Sequence, residues 1–243
     1  MKIRRRLWTW LIAIVLVLAV GMAGANVWVE GQYPHGEAAR AALASTADVT
    51  VQQADGVIAF LPAEAKAGFI FYPGGLVPAQ AYAPLMRALS EAGILCVVPE
   101  MPLRLAVLDM SAADGIAARY PEVTRWSIGG HSLGGAMAAS YAAAHGEDFS
   151  ALALLAAYST AEVPENIAVV SLCGDADQVM NRDKYARYRA NLPENTVEVV
   201  IPGGNHCQFG DYGHQKGDGT ATVSAQEQIA LTVQTLLPVL LGE

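Results

Sequence analysis

Five residues, Gly130-His131-Ser132-Leu133-Gly134, stand between a short apolar run and an alanine-rich stretch of helical composition. A strand that turns straight into a helix tolerates little Cβ bulk at the turn, and glycines two positions before and after Ser132 remove it. Such a turn lifts Ser132 Oγ to its tip. It also aims the first N–H groups of the following helix at the same spot, where a developing oxyanion could sit. In a chain with 23 glycines three fixed positions also arise by chance, so the weight falls on what surrounds them.

The surroundings alternate. Val49-Thr50-Val51 and the apolar run 57–61 flank Asp55-Gly56, the usual sign of a β-hairpin. Residues 67–72 form an apolar run of buried-strand length, stopped by Pro73-Gly74-Gly75. Helix-period residues follow over 80–92, a strand over 94–98, a helix around 107–120, and Trp126-Ser127-Ile128-Gly129 as the strand before Ser132. Beyond it, 151–156, 168–173 and 196–201 are of strand length, 184–191 reads as a helix, and 223–241 as a closing helix. This order predicts an α/β fold, a parallel sheet with helices on both faces. Eleven residues between Ala156 and Ala168 leave no room for an inserted cap, so the site should be open.

The amino end is a different material. Residues 7–29 carry no charge, follow Lys2, Arg4, Arg5 and Arg6, and are long enough to span a bilayer. The basic cluster predicts a cytoplasmic amino terminus and an outward-facing domain. Ala23-Gly24-Ala25 has the form of a signal-peptidase site, so secretion after cleavage near Ala25 is the alternative. Length favours the anchor, because signal h-regions run about 7–15 residues. We divide the chain into a signal-anchor segment (1–29), a juxtamembrane connector of helical composition (30–45) and one domain (46–243), whose size supports a buried core.

Four of the 15 basic residues lie in the first six positions, leaving 11 against 23 acidic ones, a net charge of −12. That balance excludes nucleic acid as a natural partner. Cys96, Cys173 and Cys207 are odd in number and match neither a disulfide framework nor a metal spacing, so no metal or other cofactor is expected.

A serine hydroxyl needs a base, usually a histidine oriented by a buried carboxylate. In parallel sheets such groups gather in loops at the carboxyl ends of strands. Two loops supply them: Gly174-Asp175-Ala176-Asp177 after the 168–173 strand, and Pro202-Gly203-Gly204-Asn205-His206 after the 196–201 strand. Asp175 and Asp177 both stand as candidates for the acid, with the Gly-x-x-Asp spacing favouring Asp177. His131 neighbours the nucleophile but diverges from it, and we give it a packing or hydrogen-bonding role.

The elbow, the Gly-x-x-Asp, the Gly-x-x-His and the glycine loop after the third strand together make residues 49–241 resemble the α/β-hydrolase superfamily, in its compact, cap-less esterase and dienelactone-hydrolase-like branch. The resemblance implies a mostly parallel eight-stranded sheet, here preceded by one transmembrane helix. It also implies Ser132 as nucleophile, His206 as base then acid, and Asp177 as the group holding the imidazole. Backbone N–H groups of Leu133 and of Gly75, with Leu76 second, would form the oxyanion hole. One departure stands out: Pro73-Gly74 replaces the family's frequent His-Gly, so a side chain that would brace this loop is absent.

The polar, glycine-rich stretch 207–220 suggests Phe209 and Tyr212, with Leu76, as substrate-binding residues. The expectation is an outward-facing hydrolase of small-molecule carboxylic esters that works through an acyl-enzyme. Thioesters, lactones or acyl transfer by the same triad, and a non-catalytic surface binding protein, are the alternatives. Oligomeric state is left open.

Overall fold

The computed structural model describes residues 31–243, with Ile14, Val15, Val17, Gly21, Gly24, Ala25 and 27–29 from the amino end. The expected membrane span lies mostly outside the described residues, and among those described no helix is long and apolar enough to cross a membrane.

Eight strands form one sheet: β1 (Val49–Ala54), β2 (Val57–Pro62), β3 (Ala67–Tyr72), β4 (Ile94–Pro99), β5 (Trp126–His131), β6 (Ala151–Leu155), β7 (Ala168–Gly174) and β8 (Val197–Ile201). Their order is β1-β2-β4-β3-β5-β6-β7-β8. The first two ladders are antiparallel and the rest parallel. Asp55 (φ 52°) and Gly56 (φ 72°) make the two-residue β1–β2 turn, where left-handed backbone matches the twist of the strands.

The helices are α1 (Glu37–Ala42), α2 (Ala83–Glu91), α3 (Leu133–Ala144), α4 (Arg182–Tyr188) and α5 (Ala225–Leu241). Alternation along β3 divides the core: Phe69 and Phe71 pack with Leu85, Met86, Leu89 and Leu236 of α2 and α5, whereas Ile70 and Tyr72 pack with Ala138, Ala139 and Ala142 of α3. α5 opens on a capping box, Ser224 with Glu227, and closes on Gly242 in the left-handed region.

Two sequence expectations need correction. The helix expected around 107–120 is absent: the segment runs as 3₁₀ turns at Pro102–Arg104, Ala106–Leu108 and Ala117–Arg119, with Gly115 at φ 70°. Tyr72 Oη, from the sheet, donates to the Met110 carbonyl and accepts the Ala113 N–H, so a buried side chain takes groups a helix would have paired internally. Among its described residues the connector is helical only over α1. Its entry is fixed by the domain, with Gly36 N–H donating to the Asp211 carbonyl and Ala39 N–H to the Asp211 carboxylate. The short 157–167 connection carries no helix or strand.

Candidate active site

β5 sits at the middle of the sheet and runs to His131, so the elbow rises from a fully buried strand. Ser132 follows at φ 53°, ψ −121°, a strained backbone for a non-glycine residue. Tertiary contacts hold it there. Ser132 N–H donates to the Leu155 carbonyl (2.9 Å), and its own carbonyl takes the Ala136 N–H (3.1 Å). The flanking glycines are needed for close approach: a Cβ on Gly134 would overlap the Tyr72 and Pro73 carbonyls, and one on Gly130 would lie 2.6 Å from the Tyr72 oxygen. Ser132 is half-buried at the start of α3.

His206 and Asp177 meet from neighbouring loops after β8 and β7. His206 Nδ1 donates to Asp177 Oδ2 at 2.9 Å, both residues being buried. Burial opposes ionisation of Asp177, but the hydrogen bond and charge of His206, with N–H groups from Met180 and Val179 on Oδ1, outweigh it and hold the carboxyl below its ordinary range. Asp175 is exposed and accepts the Gly203 N–H instead (2.7 Å). His206 Nε2 is buried with no hydrogen-bond partner among the described residues, so no bond to Ser132 Oγ is closed in this resting geometry.

Three residues that the sequence reading did not single out hold this arrangement. Asp218, a buried carboxylate, accepts N–H groups of His206, Cys207, Gly219 and Gln178, tying the loop after β7 to the loop after β8. Gln228, inside α5, pairs its side-chain amide with both backbone groups of Asn205, the residue before His206. The third is Tyr82, which braces the glycine loop after β3. Its Oη accepts the Gly74 N–H (2.9 Å) and lies 2.8 Å from His131 Nδ1.

Burial keeps the Tyr82 phenol protonated, so it donates to Nδ1 and His131 carries its own proton on Nε2. Burial and the neighbouring His206 push the His131 pKa well down, and the ring is neutral. His131 packs 4.5 Å, centroid to centroid, from His206. The brace missing at Pro73 is thus supplied by a tyrosine from the next turn.

Of the backbone donors, Leu76 is spent: at φ 64° it gives its N–H to the Arg104 carbonyl (2.8 Å). Leu103 and Arg104 are themselves left-handed, at φ 49° and 53°, which costs roughly 1–2 kcal/mol per residue. The N–H groups of Gly75 and Leu133 donate to nothing among the described residues. These two residues adjoin, since a Cβ on Gly75 would stand 3.2 Å from Leu133 Cδ2 and 3.9 Å from Leu105 Cδ2.

Phe209 and Tyr212 do not line an open pocket, contrary to expectation. Both are buried behind His131, at 5.6 and 6.3 Å between ring centroids, and Tyr212 also meets Tyr33 of the connector edge-on. The segment curls back under the site because Asp218 and Asp211 bond backward to the base loop and to the connector. No side-chain cluster suited to a metal ion occurs among the described residues.

The family model described as "Alpha/beta hydrolase family" matches residues 68–230, from β3 into α5. The chain belongs to the α/β-hydrolase family. Solved structures share its fold but little of its sequence. Est1E from Butyrivibrio proteoclasticus is 16% identical with a TM-score of 0.57, covering 81% of this chain and 100% of that one. TT1662 from Thermus thermophilus is 14% identical at 0.58, covering 79% and 98%. A CIB-like hydrolase from Thermoplasma acidophilum is 14% identical at 0.55, covering 77% and 98%. No curated protein sequence matches. For this α/β-hydrolase, the matched residues cover the sheet from β3 onward and the start of the helix that closes it. The β1–β2 hairpin and the connector lie outside the matched residues.

Proposed function

We propose that this α/β-hydrolase cleaves carboxylic esters through an acyl-enzyme, with Ser132 as nucleophile, His206 as base and acid, and Asp177 as the orienting carboxylate. The observation that carries the reading is the buried Asp177–His206 pair, whose one unsatisfied polar atom is Nε2 and whose imidazole lies 4.5 Å from the ring of His131, the residue before the strained Ser132. Nε2 takes the Oγ proton as Oγ attacks the carbonyl carbon, and Asp177 stabilises the imidazolium. The carbonyl oxygen, now negative, accepts from the N–H groups of Leu133 and Gly75, with the α3 dipole adding to the field. The intermediate then collapses, expelling the alcohol as His206 returns its proton to it. Water, deprotonated by the same Nε2, releases the acid.

A pre-steady-state burst of p-nitrophenol from p-nitrophenyl acetate tests this, equal to one equivalent per chain. Ser132→Ala should abolish the burst without moving the thermal transition, and His206→Ala should abolish it as well, with a lower transition because the buried Asp177 loses its partner. Turnover surviving in Ser132→Ala would overturn the assignment.

We further propose that residues 7–29 anchor the chain with its domain outside. The 23 uncharged residues behind a basic cluster support this, as does the firm seat of the segment's end, where Arg104 donates to the Val29 carbonyl at 3.0 Å. Protease shaving of intact cells should remove the domain. A protected domain would refute the orientation.

A further inference from the structure

The loop that holds Leu76 also carries an exposed apolar face. Val107, Leu108 and Met110 are 52%, 55% and 46% exposed, three large apolar side chains within four positions. Two neighbours fix what lies around them. Leu105, half-buried, reaches Gly75 at the mouth of the site, and the turn Ala106–Leu108 packs on α3 behind Ser132. On the other side Arg104 grips the Val29 carbonyl, the last residue of the uncharged run. Val107 follows Arg104 by three residues and so lies within about 11 Å of it along the chain. The exit point of the apolar segment, the exposed patch and the site mouth are therefore all met within the one short stretch 104–110.

We infer that residues 105–110 are a membrane-docking surface, and that the ester this site takes is an acyl lipid drawn from the leaflet beneath it. The inference rests on the anchored-hydrolase reading above. Val107, Leu108 and Met110 enter the interface of the bilayer in which residues 7–29 sit, holding the Ser132 mouth against it. Insertion is shallow, because Asp109 sits within the loop, bonded to Ser111 Oγ. A domain of net charge −12 gains nothing from anionic headgroups, so apolar contact and the tether hold it, and a zwitterionic surface suffices. Within the domain the other exposed valines, Val197 and Val200, lie on β8 at the far edge of the sheet, away from Val29.

The full chain reconstituted into phosphatidylcholine vesicles tests the inference. The three native cysteines are buried, so a thiol-reactive nitrobenzoxadiazole label on Leu108→Cys goes to the loop alone. Its emission should shift to the blue and be quenched by acyl-brominated lipid but not by aqueous iodide. Val107→Ser/Leu108→Ser should hydrolyse vesicle-borne 4-methylumbelliferyl oleate about tenfold more slowly, since each residue loses apolar contact with the interface. Its hydrolysis of soluble 4-methylumbelliferyl acetate should not change. Iodide quenching in a chain that still floats with the vesicles, or an unchanged oleate rate, would overturn the docking surface. A chain that does not float with vesicles would overturn the anchor itself and the docking with it. Absence of acetate turnover by the unmodified chain would overturn the hydrolase reading, and with it the acyl-lipid substrate.

Discussion

Replacing Tyr82 with phenylalanine removes one oxygen atom and strands two buried groups. Gly74 N–H and His131 Nδ1 both meet Tyr82 Oη, at 2.9 and 2.8 Å, in a space that admits nothing else: a Cβ on Gly74 would stand 2.8 Å from that oxygen. Each orphaned neutral group costs about 1–3 kcal/mol, so Tyr82→Phe should lose roughly 2–6 kcal/mol of stability. Function should suffer separately, because the Pro73–Gly74 peptide, next before the proposed Gly75 donor, loses its brace. Loss of one such donor costs about 10²–10³ in kcat, and a loosened donor should cost some fraction of that, roughly 10–100-fold. Urea unfolding gives the first quantity and p-nitrophenyl acetate kinetics the second, with the fall in kcat and little change in KM. His131→Phe should couple to Tyr82→Phe in a double-mutant cycle by about 1 kcal/mol or more. A Tyr82→Phe enzyme of full stability and full kcat would refute the brace.

Three further outcomes follow from the same geometry. Asp177→Asn should lower kcat by about 10⁴-fold, as loss of the orienting carboxylate does in such triads, whereas Asp175→Asn should leave kcat intact; the reverse result in the same ester assay would exchange their roles. Asp218→Ala should destabilise the domain by about 3 kcal/mol or more in urea, because N–H groups of both site loops lose a charged acceptor. The third is a pH effect. His131 is held neutral by burial, while in the unfolded chain it protonates below its ordinary value of 6.5, so the unfolded state binds the extra proton. Stability should be full above that pH and fall below it by at most about 1.4 kcal/mol per pH unit. Thermal scans of His131→Gln should show a flatter fall between pH 6.5 and 5, and an unchanged slope would count against a buried neutral ring.

Local chemistry made much of this molecule readable in advance. Asp55-Gly56 carries its turn in its own backbone preference, and β3 begins and ends where the apolar run does. The elbow was legible because close approach there excludes any Cβ at Gly130 and Gly134. Long-range partners were not legible in this way. Nothing in Tyr82 or Asp218 marks them as braces until the sheet brings Gly74 and His206 to them. The 107–120 segment has helical composition, yet Tyr72 from β3 claims its backbone groups and gives turns instead. Phe209 and Tyr212 follow the histidine closely enough to suggest a pocket wall, but the bonds of Asp211 and Asp218 fold that stretch under the site. The connector, which offered no role as sequence, caps its helix on Asp211 and so forms part of the domain's support.

The central claim is that Ser132 is the residue acylated. Full-length protein treated with a fluorophosphonate, then digested and mapped by mass spectrometry, tests it most directly. We predict one adduct per chain, on the peptide bearing Ser132, lost in Ser132→Ala and strongly slowed in His206→Ala. An adduct on any other residue, or none under conditions where the ester is turned over, would contradict the account.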